Sequence, residues 1–274
     1  MAYFVCQTCG VQHAERADDP SRPPERCPIC DDERQYVGLQ GQRWTTVDEL
    51  GRWRKTELQE IEPGLWGIET RPSFAIGQRA HMVQTPAGNV LWESVSTISE
   101  PAVAKVKELG GAAAIAISHP HFYSAMVEWS RALGDVPIWL HAADREWVMR
   151  PDRAVRFWEG ETAEPIAGGD VKLVRIGGHF PGLQGLLWPG GAEGRGALLC
   201  GDMPMVAMDR RWVSFMYSYP NLIPLGRGEV RRIAETLSGL PFDRLYGSWA
   251  NRVVDRDAPA AVVRSAERYL RQTE

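Results

Sequence analysis

Eight side chains have the type and spacing for metal chemistry, in two sets: Cys6, Cys9, Cys27 and Cys30, then His119, His121, His179 and Asp202. Two residues separate the members of each cysteine pair, so the two thiolates of a pair can grip one ion. Two such knuckles make a closed tetrahedral site of four sulfurs. Four of the five cysteines lie in the first 30 residues. With no basic n-region and apolar stretch at the N-terminus, they read as metal ligands rather than disulfides. The segment from Val11 to Arg26 is rich in Arg, Asp and Pro. It has too little apolar content to fold without the ion as its core. His13, inside it, reads as solvated, since the four-sulfur set is complete without it. Cys200 ends the apolar run that starts at Ala197 and reads as a small buried hydrophobe.

The second set lies at predicted strand ends. His119 and His121 flank Pro120 just after the apolar run Ala112 to Ile117. A strand C-terminus opens into a loop, so both imidazoles can converge there, and Pro120 stiffens the spacer. His179 follows another apolar strand, between Gly178 and Phe180, and Asp202 follows a third, after Gly201. One strand-end histidine alone is usually a hydrogen-bonded structural residue. Four metal-type ligands at the ends of three strands describe a site. Three neutral imidazoles with one open or carboxylate position suit a catalytic ion that brings the pKa of water to about 7. His81 reads as structural or pocket-lining, and His141, at another strand end, as structural.

The second set resembles the metallo-β-lactamase superfamily, whose signature runs HxHxDH, then GHxxG, then GD, then a terminal His. His119-Pro120-His121 matches the first two positions, Gly178-His179-Phe180-Pro181-Gly182 the next element, and Gly201-Asp202 the third. The likeness covers about residues 60 to 274. It implies an α/β (α+β) fold, an αββα sandwich with the site at one edge of two sheets. It also implies His119, His121 and His179 as the first metal site. Two departures matter. Tyr123 and Ser124 stand where the family has Asp and His, and Trp249 follows Ser248 where the terminal His is expected. An indole cannot ligate a metal and a phenol substitutes poorly for a carboxylate. The expectation is therefore one ion, Zn2+ or Fe2+, on His119, His121, His179 and Asp202. Asp202 would be the fourth ligand or the catalytic base. Tyr123 would offer its hydroxyl to a developing oxyanion or, with Trp249, fill the vacated second site. The cysteine pairs resemble zinc ribbons and rubredoxin-type iron sites. Rubredoxins usually carry Gly after the second pair, and Asp31 there favours structural zinc.

The elements that must position these residues follow from patterning. Residues 1–40 form the four-cysteine module, a zinc ribbon or rubredoxin-like unit. Residues 41–60 read as a linker, with a helix over Thr46 to Gln59, and 61–274 as the metallo-β-lactamase-like domain. Strands are expected at 65–70, 81–84, 90–92, 112–117, 136–140, 171–176, 183–188, 197–200 and 244–246. Helices are expected after Ser99 to Leu109 and at 125–133, 143–149, 228–237 and 258–271. Such a succession suggests two mixed sheets with helices outside.

The chain has 274 residues, 31 Lys+Arg against 35 Asp+Glu and a net charge of −4. Hydrophobic residues make up 44%, which excludes a disordered chain. The mild negative charge gives no footprint for nucleic acid or anionic membrane, and no apolar run is long enough to span a bilayer. These features predict a cytoplasmic protein acting on a small molecule. Three readings remain open. They are a one-metal hydrolase of an ester-, lactone-, amide- or phosphate-type substrate, an iron oxidoreductase fed by an iron–sulfur ribbon, and a degenerate binding module. Zinc at both sites weakens the second, and a histidine site that binds no metal removes the first two. Eleven tryptophans, among them Trp188, Trp212 and Trp249, and the stretch Arg211 to Tyr219 could supply an aromatic pocket wall.

Overall fold

The computed structural model describes residues 3–273. Its order follows from alternation along the strands. In Ala114–Ala116 and the residue after it, Ile115 and Ile117 face one way and Ala116 the other. In Ala197–Leu199, Leu198 faces the opposite side from Ala197 and Leu199. A period of two with both faces apolar marks strands covered on both sides.

The first sheet has seven strands in chain order: Lys55–Glu62, Leu65–Arg71, Arg79–Val83, Val90–Trp92, Ala114–Ala116, Ile138–His141 and Val155–Trp158. The first four pair antiparallel and the last four parallel. Two of the parallel connections carry helices, Glu100–Glu108 and Met126–Ala132. The second sheet has six: Thr162–Ala163, Lys172–Arg175, Gln184–Trp188, Ala197–Leu199, Arg244–Tyr246 and Val253–Val254. Its one parallel pair, Ala197–Leu199 with Arg244–Tyr246, is covered by the amphipathic helices Arg227–Ser238 and Ala258–Gln272. Leu65, Val83, Val90 and Trp92 of the first sheet meet Leu173, Leu186, Leu199 and Tyr246 of the second in an inter-sheet core. Ala102 and Val106 pack on the outer face of the first sheet, and Val230, Ile233 and Leu237 on that of the second. This is the αββα sandwich that the sequence implies.

The expected linker helix is shorter than its pattern suggested. It covers Val47–Trp53, started by a capping box in which Thr46 and Glu49 bond each other's backbone N–H. Beyond it, Thr56 and Leu58 alternate with exposed Lys55, Glu57 and Gln59, and this period of two makes an edge strand of the first sheet. The helix expected over 143–149 is instead a 3-10 helix, Ala142–Trp147. There the Asp144 carboxylate is drawn away to accept from the Gly182 N–H at 2.8 Å, and its backbone leaves helical geometry.

At the N-terminus Phe4–Cys6 pairs antiparallel with Trp44–Thr46, and the two cysteine knuckles pack beside them. The ribbon is part of the core. Cys6, Cys9, Val11, Cys27 and Ile29 share one buried cluster with Phe122, Tyr123 and Met126. Cys200 is buried as expected. His13 is not solvated: strand pairing brings its ring edge-on to Trp44, with Nε2 at 3.4 Å from the Cys27 sulfur. Cys27→Ser is expected to release the ribbon ion and make residues 11–26 protease-sensitive. It should also raise hydrogen exchange at 123–126, while the two sheets stay folded by circular dichroism.

Candidate metal centre

The carboxyl ends of three strands meet at one edge of the sandwich. His119 and His121 leave Ala114–Ala116, His179 leaves Lys172–Arg175 and Asp202 leaves Ala197–Leu199. Their ligand atoms lie within 4.8 Å of one another, and the four residues are at most 5% exposed. Gln184 aligns the two sheets at this edge. Its amide donates to the carbonyls of Ile117 and Trp139, at 2.7 and 3.0 Å, and its carbonyl accepts from Trp158.

Three of the four candidate ligands are aimed by neighbours. The His179 Nδ1–H donates to the Tyr217 carbonyl at 2.6 Å, which leaves the Nε2 lone pair facing His121 Nδ1 at 3.1 Å. His119 Nδ1 lies 2.9 Å from Ser118 Oγ, and the Ser118 N–H donates to Glu93 at 3.0 Å. Gly201, at φ 65°, passes so close that a Cβ would stand 2.6 Å from Ser118 Oγ. Tyr219 donates its hydroxyl to the Asp202 carbonyl at 2.8 Å.

The electrostatics suit a cation. Burial pushes His119 and His121 well below the usual imidazole range and His179 to about 4, so all three are neutral, the form that ligates. Burial raises Asp202 to about 7. His119 Nε2 and Asp202 Oδ1, 3.6 Å apart, are both buried without a hydrogen-bond partner. Orphaned acceptors this deep are costly alone and are what a metal ion satisfies. The residues present fit one divalent ion.

The ribbon's sulfurs fit a second. Cys6 and Cys30 sulfurs are 3.5 Å apart, Cys9 and Cys27 sulfurs 3.7 Å, and all four cysteines are free. A tetrahedron with metal–sulfur bonds of about 2.3 Å places its corners close to that far apart. The Gln42 amide donates to Cys6 Sγ at 3.1 Å.

Tyr123 and Ser124 serve the ribbon. Tyr123 shares a buried cluster with Cys9 and Cys27, and it lines a narrow crevice with Val11, Gln12 and Met149. The Ser124 carbonyl accepts from the Gln12 N–H at 3.0 Å, and its hydroxyl from Gln78 at 2.7 Å. Trp249 rests on Phe122, with ring centroids 5.7 Å apart, and donates Nε1–H to the Ile76 carbonyl at 2.9 Å. The expected aromatic wall is mostly elsewhere: Trp188 belongs to the inter-sheet core and Trp212 stacks with Arg268. His141 is structural, with Nδ1 accepting from the Ala143 N–H and Nε2 facing the Gly160 carbonyl at 3.1 Å. His81 is sealed in the first sheet and pushed down to about 3 by burial.

Sequence reasoning missed three residues here. Arg34, from the ribbon, stacks 3.9 Å above the Phe180 ring, pairs with Asp32 and donates to the His179 carbonyl at 3.3 Å. No local signal announces it. Asp144 grips Gly182 and so closes the His179 loop. Glu93 does carry a signal, an acidic residue directly after the apolar run Val90–Trp92.

Among known proteins, the sandwich is similar to solved metallo-β-lactamases. VMB-1 aligns with a TM-score of 0.61 at 11% identity, covering 80% of this chain and 99% of that one. DIM-1 metallo-β-lactamase exposed to ceftazidime aligns at 0.59 and 12% identity, covering 78% and 98%. A B3 metallo-β-lactamase with an active-site glutamic acid aligns at 0.53 and 15%, covering 83% and 94%. Fold and site therefore define a metallo-β-lactamase-fold protein with a group of three histidines and one aspartate and an N-terminal four-cysteine cluster. No family model matches the chain. It is 48% identical over 275 residues to the uncharacterized protein YmaE of Bacillus subtilis (strain 168), covering 99% of this chain and 97% of that one, and it belongs to the same family. Among the described residues no helix is long and apolar enough to cross a membrane.

Arg34→Ala should cost about 2–3 kcal/mol of stability, the scale of a lost charged hydrogen bond plus a cation–π contact. It should also increase hydrogen exchange at Phe180 and 217–221 while the ribbon keeps its ion. Glu93, fully buried, is pushed up to about 8. The folded protein therefore holds that proton more tightly than the unfolded chain. The resulting stability is present below the ordinary carboxyl range and lost as pH rises through about 8. Glu93→Gln removes the titration, so its melting temperature relative to wild type, at matched metal content, should climb between about pH 5 and pH 9.

Proposed function

We propose that the protein is a hydrolase with one catalytic metal ion, zinc, acting on a small molecule with an ester-, lactone-, amide- or phosphate-type bond. The observation that carries this reading is the buried convergence of His119, His121, His179 and Asp202 with orphaned ligand atoms. One ion rather than two is supported by the work that Tyr123, Ser124 and Trp249 do as packing and anchoring groups. A zinc ion held by the three imidazoles and Asp202 would supply Lewis-acid polarisation and a supply of hydroxide near neutral pH.

The chain's own residues do the rest. His179, fixed through Nδ1 by the Tyr217 carbonyl, and His119, fixed through Nδ1 by Ser118, each turn Nε2 toward the site. Asp202, with the zinc on one carboxylate oxygen, would take up and return a proton at the other. Tyr219 holds the Asp202 backbone while that happens. Phe122 and Phe180 flank the His119 ring at 4.6 and 5.4 Å and keep bulk water out. Tyr123, engaged with the ribbon, has no part in this scheme.

A second reading, electron transfer with iron in both groups, is favoured by one observation. The ribbon reaches the histidine group: Arg34, just after its second knuckle, donates to the His179 carbonyl. Metal analysis separates the two, since zinc in the four-cysteine cluster leaves no electron carrier. The hydrolase reading expects two ions per chain, one lost in His179→Ala together with all activity on an esterase, lactonase and phosphodiesterase panel. Asp202→Asn should lower kcat by roughly 10²–10⁴-fold. Full activity in Asp202→Asn would place the base elsewhere. A wild type inactive on the whole panel with metal bound would sink the hydrolase.

A further inference from the structure

Beside the metal centre lies a cavity of about 370 Å³ for which the mechanism has no use. Its lining includes Arg71, Phe74, Gln78, Met205, Trp249 and Arg252. Its size is within the range of small-molecule sites. Trp249 connects its wall to the metal centre through Phe122. The indole is pinned by Ile76, packs on Phe122, and Phe122 in turn packs on His119 with centroids 4.6 Å apart. With its N–H already used, the indole offers the cavity an apolar surface, beside Phe74 and Met205.

The charge at this cavity is unbalanced. Glu69 also lines it, but both its oxygens are occupied, one by Arg71 and the other by Arg79 at 2.7 Å. Among the lining residues Arg71 and Arg252 thus stand against Glu69 alone, leaving one positive charge. Arg71 uses Nη2 in its pair with Glu69, and Arg252 uses Nη1 on the Val206 carbonyl at 3.4 Å. Guanidinium groups with planar donor forks recognise carboxylate and phosphate groups.

We infer that this cavity is a binding site for a small amphipathic organic anion, its acidic head on Arg71 and Arg252 and its apolar body against Phe74, Met205 and Trp249. The inference concerns binding alone and stands whether or not the protein hydrolyses anything.

Isothermal titration of the full-length, zinc-loaded protein tests it with 4-phenylbutyrate, 2-phenylethyl phosphate and the neutral 4-phenylbutan-1-ol. At least one of the two acids should bind one to one, and the alcohol about tenfold or more weakly, the scale of one lost charge-assisted contact. The acid that binds better identifies the head group. Arg252→Met and Arg71→Met should each weaken acid binding by about tenfold, leave the alcohol unchanged and retain both metal ions. Acid binding that survives in both arginine variants would place the ligand on the metal and overturn the proposal. So would an alcohol that binds as tightly as the acids, or no binding by any probe. Because no turnover is measured, an inactive hydrolase panel leaves this result intact.

Discussion

Three imidazoles and a carboxylate are buried together, with His119 Nε2 and Asp202 Oδ1 left without a protein partner, and the surrounding structure is organised around that fact. Each unsatisfied buried acceptor costs about 1–3 kcal/mol, and the chain could have avoided it with apolar residues. It instead holds the rings in place through contacts that leave the ligand atoms bare. The Tyr217 carbonyl takes the far side of His179, and Ser118, backed by buried Glu93, takes that of His119. Gln184 fixes the two sheets to each other at the same edge. A cation resolves the imbalance. Neutral histidines with strongly lowered affinity for protons are what such an ion requires.

The ribbon is built into this arrangement. The positions that carry second-site ligands in the superfamily signature face it instead: Tyr123 lines a crevice with Val11 and Gln12, and the Ser124 carbonyl receives the Gln12 amide. Its second knuckle leads to Arg34, which lies on Phe180 and reaches the His179 carbonyl. Asn221 ties the same turn down through the carbonyls of Glu33 and Gln35, both at 2.8 Å. The two candidate metal groups thus share one packed body. An ion in the ribbon would hold the turn from which Arg34 reaches the His179 carbonyl.

Trp249 and Phe122 pack in series between the histidine group and the cavity lined by Arg71 and Arg252. The cavity has two arginines and an apolar wall, whereas the histidine group is nearly dry.

The ligands themselves were legible in the sequence because their signals are local. A CxxC spacing, an HxH after an apolar run and a Gly-His or Gly-Asp after a strand each state residue type and backbone context within a few positions. The two-sheet sandwich was legible for the same reason, through runs such as Ala112 to Ile117 and Val171 to Ile176. Where periods competed, the pattern failed: the helical spacing of Thr46 to Gln59 runs past Trp53, and pairing with Leu65–Arg71 makes its second half part of a strand. What tertiary structure alone decided is who stands beside whom. Arg34 and His179 are 145 residues apart and meet at 3.3 Å, and His13 leaves solvent because strand pairing turns it toward Cys27. Contacts of that kind come from packing distant elements at one sheet edge, and a one-dimensional pattern carries no term for them.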